Sequence, residues 1–136
     1  MRFFRDVEFF RGSFNDSAAH VRTAHLTEQM TQAFYRREHD TIEYLAKQGA
    51  QFTPEMLSVA VGMRDHHLTG KCLGAGITPD EDMVRSAVGQ KDAPLTAMLI
   101  QRITPTKDLK THIETYATEA VKKAAAPALA RVTPEP

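Results

Sequence analysis

At 136 residues the chain has the length of one domain, enough to bury roughly two-thirds of its unfolded surface in a single core. Seventeen Lys plus Arg balance seventeen Asp plus Glu, which excludes a whole-molecule field drawing the chain to nucleic acid or anionic lipid and leaves local electrostatic recognition only. The one cysteine, Cys72, excludes an internal disulfide and a Cys-based zinc knuckle and fits a reducing compartment, the cytosol by default.

The chain opens on a Phe-rich stretch, but Arg2, Arg5, Asp6, Glu8 and Arg11 interrupt it. It therefore has neither the apolar run of a signal peptide nor membrane-spanning length, and the chain reads as soluble. Export by a route without a cleavable signal stays open. Phe3, Val7, Phe10 and Phe14 form a stripe at helical spacing, on a helix that Gly12 ends early, and such a stripe suits a cap over a first repeat. The next segment, 16–25, is thin in apolar residues and starts a helix at Asp16 or Ser17.

From there the sequence repeats. Leu26-Thr27, Phe52-Thr53, Ile77-Thr78 and Ile103-Thr104 recur at intervals of 26, 25 and 26 residues. Pro54, Pro79 and Pro105 follow three of them, with Glu55, Asp80-Glu81 and Asp108 close behind. Thr caps helix N-termini, Pro suits the first helical position and acids there complement the helix dipole, so each site is an expected helix start. Thr78 and Glu81 have capping-box spacing, and Phe52 and Leu57 that of a hydrophobic staple.

A second series keeps step with the first. Ala33-Phe34 leads to Arg37-Glu38, Ala60-Val61 to Arg64-Asp65 and Ala87-Val88 to Lys91-Asp92, each shifted by 27. The same short helix is expected to end the same way three times. An apolar helical face follows each end: Ile42, Tyr44 and Leu45, then Leu68, Cys72 and Leu73, then Leu95, Met98 and Leu99. Gly49-Ala50 and Gly74-Ala75-Gly76 close the first two of these helices, where glycine tolerates the left-handed conformation; the third passes through Gln101-Arg102. No stretch alternates as a strand does.

Toward the end, Leu109, Ile113, Tyr116, Ala120 and Ala124 form one stripe on a longer helix from near Pro105, which Pro127 terminates. The expected organisation is one domain over 1–126. It comprises repeats at about 26–51, 52–76 and 77–102, a capping helix over 104–126, and a disordered Ala-Pro tail over 127–136.

The segment 33–50, with its helix end, turn, apolar second helix and closing Gly-Ala, resembles the second half of an ankyrin repeat, and the recurring Thr-Pro resembles the ankyrin helix start. The resemblance covers about residues 26–102. Glu55-Met56 and Asp80-Glu81 stand where the ankyrin Thr-Pro-Leu-His tetrad would continue, and the period is shorter than the usual 33 or so, so the array is a contracted one without the projecting hairpin. The resemblance implies an all-α, short α-solenoid of helix-turn-helix repeats between capping helices, and a role in binding other proteins.

Residues able to carry chemistry are few. His66, His67 and Cys72, beside Asp65, form the most metal-like cluster, but their spacing matches no zinc motif and a Cys on an apolar stripe is more simply a core residue. His20, His25, His39 and His112 make no helical zinc pair. Phosphate-loop, nucleophile-elbow and dinucleotide motifs are missing, so no cofactor and no catalytic residue is expected. The feature singled out is the repeated basic-acidic pair, an expected ridge along a solenoid.

The expected binding residues are Arg36, Arg37 and Glu38, Met63, Arg64 and Asp65, and Gln90, Lys91 and Asp92. The partner expected is another protein, not nucleic acid or a membrane, held by a monomer or weak homo-oligomer. Two roles fit: a bacterial effector delivered into a host cell, or an inhibitor of immunity type that blocks a toxin or enzyme. The alternatives are a small metal-dependent enzyme built on Asp65, His66 and His67, and a self-associating structural protein.

Overall fold

The computed structural model describes residues 11–132, the first ten of them by backbone alone. The stripe residues Phe3, Val7 and Phe10, the side chains of Phe14 and His20, and residues 133–136 of the tail lie outside it. Every regular element among the described residues is helical: eight α-helices and no strand. The chain divides after Gln51 into two compact units.

The first unit pairs α1 (Arg11–Tyr35) with α2 (His39–Lys47). Met30, Ala33 and Phe34 are fully buried, at the spacing of one helical face, and Ile42, Leu45 and Ala50 complete this core. Helix α1 runs through all three expected boundaries, the end at Gly12, the start at Asp16 or Ser17 and the start at Leu26-Thr27. Thr27 is followed by Glu28, a good helix former, where the later sites have Pro, so nothing stops the helix. Instead of capping, the Thr27 hydroxyl accepts the Gln51 N–H at 3.1 Å, and the Thr27 carbonyl accepts the Thr31 hydroxyl at 3.0 Å.

The second unit holds α3 (Pro54–Gly62), α4 (His66–Gly74), α5 (Glu81–Gly89), α6 (Ala93–Ile100), α7 (Lys107–Tyr116) and α8 (Glu119–Leu129). Consecutive helices pair as α3 with α4, α5 with α6 and α7 with α8; α5 packs on both α3 and α7, and α6 on both α4 and α8. The core repeats residue for residue at the 27-residue shift. Met56, Leu57, Ala60 and Val61 of α3 are matched by Met83, Val84, Ala87 and Val88 of α5, and Leu68, Thr69, Cys72 and Leu73 of α4 by Leu95, Thr96, Leu99 and Ile100 of α6. The helix α1 positions Met30, Ala33 and Phe34 share that register with Leu57, Ala60 and Val61.

Thr53 caps α3 as expected, its hydroxyl accepting the Met56 N–H at 3.3 Å with Pro54 at the first helical position. The next two starts fall two residues later than expected. Asp80 caps α5 by accepting the Met83 N–H at 2.8 Å, and Thr106 caps α7 by accepting the Leu109 N–H at 3.2 Å. In both loops a second good capping residue follows the Pro, whereas Glu55 cannot serve after Pro54. The Thr78–Glu81 capping box consequently does not form. Glu81 reaches instead to the start of α7, accepting the Thr106 N–H and hydroxyl, each at 2.9 Å.

The single helix expected over 104–126 is two. Ala117 is extended, and Thr118 recaps the chain by accepting the Val121 N–H at 3.3 Å. The break resets the helical phase, so the buried set is Leu109, Ile113, Val121, Ala125 and Ala128, while Tyr116 and Ala120 of the expected stripe face outward. Pro127, expected to end the helix before the tail, lies inside α8, whose last turn is held by the burial of Ala128. Residues 127–129 are therefore helical, not a disordered tail.

Candidate binding surface at the helix turns

Helices α1, α3 and α5 end in one arrangement. The N–H groups of Glu38, Asp65 and Asp92 reach back five residues to the carbonyls of Ala33, Ala60 and Ala87 at 3.0–3.1 Å. Inside each of these loops, Arg37, Arg64 and Lys91 bond back to Phe34, Val61 and Val88. This is the Schellman ending, which places its penultimate residue in the left-handed region and normally fills it with glycine. Here the residues are Arg37, Arg64 and Lys91, with φ of 55°, 58° and 59°. Glycine does occupy the left-handed turns after α2 and α4, as Gly49 and Gly76. An L residue in this conformation costs about 1–2 kcal/mol, yet three long cations are held there, all exposed.

The acids that follow sit differently. Asp65 and Asp92 are N-caps, their Oδ1 atoms accepting the N–H of Leu68 and Leu95 at 3.0 Å. Asp92 also meets His66 of the preceding repeat, Nε2 to Oδ2 at 2.7 Å, and its side chain is only 11% exposed. Burial pushes the Asp92 carboxyl up, but the His66 hydrogen bond, the Leu95 N–H and the charges of His66 and Arg64 together outweigh it and hold the group below the ordinary carboxylate value. Glu38, the acid of the first turn, makes no capping bond with its side chain and lies 3.9 Å from Arg36.

The other expected contact residues divide in the same way. Met63 and Gln90 are helix C-caps and half-buried. The Gln90 Nε2 donates to the Val61 carbonyl of the preceding repeat at 3.0 Å, which makes it a stitch between repeats. In the first unit, Arg36 and Glu38 line a shallow groove with Gln32, Thr41 and Tyr44.

The metal-like cluster does not assemble. Asp65 caps α4, His66 faces Asp92, His67 is exposed and Cys72 is buried in the core, where burial pushes its thiol up to about 12. Among the described residues no three His, Cys, Asp or Glu side chains gather as a metal-binding group. His112 packs against Tyr116, ring centres 4.9 Å apart. Among the described residues, too, no helix is long and apolar enough to cross a membrane.

No known protein family, curated protein or solved structure matches this chain. The sequence pointed to Arg64, Asp65, Lys91 and Asp92, but not to His66 as the partner of Asp92, nor to Glu81 as that of Thr106. A signal for both was present: the members of each pair stand 26 and 25 residues apart, the period of the repeat.

Proposed function

We propose that this chain is a contracted, ankyrin-like helical-repeat module, a short α-solenoid, that binds another protein through the turns at 36–38, 63–65 and 90–92. The repeat reading is supported by the core register at 27 residues and, within the second unit, by the packing of α3 on α5, α4 on α6, α5 on α7 and α6 on α8. The observation that carries the binding reading is the left-handed cation at each of the three turns. Backbone strain that a cheaper residue would relieve is retained where the side chain has a use, and binding sites are where such strain collects. An effector or an inhibitor in the cytoplasm is the role this reading favours.

The test is capture of partners from a lysate of the source organism, with wild type compared against Arg37→Glu/Arg64→Glu/Lys91→Glu. The reading expects a protein held by the wild type and released by the folded variant. Equal retention by both, with unchanged helical circular dichroism, would remove these turns from the binding surface.

A further inference from the structure

We infer that the turn edge of the second unit takes an extended acidic peptide whose carboxylates recur at every third residue, with Arg64 and Lys91 each pairing with one. The inference rests on the binding reading above and names the chemistry of the partner.

Charge at these turns is sorted by depth. Asp65 and Asp92 are turned onto the backbone N–H groups of α4 and α6, and Asp92 is further engaged by His66 and shielded from solvent. The cations one residue earlier stand on left-handed backbone and are exposed. Although the chain is neutral as a whole, what an approaching partner meets at this edge is guanidinium and ammonium, with the compensating carboxylates set behind them. Carboxylate is the complementary group, and the Arg64 fork accepts it in bidentate fashion.

The spacing selects the form of the partner. Helices α3 and α5, which carry the two cations at equivalent ends, pack against each other, and packed helix axes lie about 8–10 Å apart. A peptide in the extended polyproline II form rises about 3.1 Å per residue with three residues per turn, so one turn spans one repeat and acidic side chains at i and i+3 share a face and fall opposite successive cations. A nucleic-acid backbone fits poorly. Its charges recur far more closely, about one per 1.7 Å along a duplex, and most phosphates would face the recessed Asp65 and Asp92 without a cation of their own.

The experiment measures fluorescence anisotropy of the full chain with labelled Gly-Ser nonapeptides. One carries Glu at the third, sixth and ninth positions and a second carries the three Glu side by side; oligothymidine of equal charge is the nucleic-acid control. The expected result is preferential binding of the spaced peptide, weakened by salt and reduced about tenfold in Arg64→Gly/Lys91→Gly. Glycine relieves the strain at both positions, so that variant stays folded and a loss of binding reports the side chains. Equal binding of the two peptides, tighter binding of the oligonucleotide, or full binding by the glycine variant would each overturn the inference. If the spaced peptide fails while a cellular protein is still captured by wild type and lost on charge reversal, the binding reading stands and only the extended acidic partner falls.

Discussion

At the scale of single residues, Arg64 and Lys91 set stability against presentation of charge. Left-handed backbone costs a non-glycine residue about 1–2 kcal/mol, and glycine returns about 0.5–1 kcal/mol of that through its freer unfolded chain. Arg64→Gly and Lys91→Gly are each expected to raise the stability of the fold by roughly 0.5–1 kcal/mol in urea denaturation; a loss would mean that the side chains contribute contacts outweighing the strain. Asp92 supplies the pH dependence. Its folded value is lowered, so its ionisation favours the folded state above the ordinary carboxylate range, and this contribution is lost as pH falls through the lowered value. Asparagine caps as well as aspartate, so Asp92→Asn removes the charge and keeps the cap. The stability gap between wild type and Asp92→Asn should shrink from pH 7 to pH 3, and a gap constant with pH would contradict the assignment. The basic-acidic pairs were visible in the sequence by repetition, but the backbone of their cations was not, because the signal for a left-handed ending is glycine and each site lacks it.

Among the elements, the helix starts show how local signals compete. Thr-Pro specified the start of α3, where nothing after the Pro rivals Thr53. At Thr78-Pro79 and Thr104-Pro105 a later Asp or Thr took the cap, and at Thr27, without Pro, the helix ran on. Glu81, freed from its expected capping box, ties α5 to α7 through two hydrogen bonds to Thr106, with its side chain only 25% exposed. Glu81→Ala is expected to cost about 2 kcal/mol and to speed amide exchange at Leu109. Its neighbour Asp82 is 90% exposed and pairs with Arg85 at 3.1 Å, so Asp82→Ala should cost less than about 0.5 kcal/mol. Equal effects from the two would show that the tie contributes nothing.

For the molecule as a whole, the second unit shares one continuous core, and Cys72 reports on its integrity. The thiol is fully buried and burial pushes it up to about 12, so at pH 8 a thiol-disulfide reagent should label it only as the core opens. Leu99→Ala removes a fully buried side chain from α6, with an expected cost of about 2–5 kcal/mol and labelling of Cys72 accelerated accordingly. Rapid labelling of the folded wild type would show the core to be open at α4.

The sequence by itself determined the helical class, most of the face that the repeat helices bury, with Tyr44 of α2 the exception at 62% exposed, and the places where α1, α3 and α5 end. These follow from apolar periodicity and chain-breaking residues, which act within a few positions along the chain. Tertiary structure alone decided which polar group satisfies which. His66 on Asp92, Gln90 on the Val61 carbonyl, Glu81 on Thr106 and Arg131 on the Ile100 carbonyl join residues 25 to 31 positions apart. It also decided that the last stripe breaks at Ala117, since Thr118 and the burial of Val121, Ala125 and Ala128 restart the helix in a new phase. A helix end leaves donors and acceptors that any nearby side chain can meet, and only the packing of one repeat on the next brings a particular side chain there.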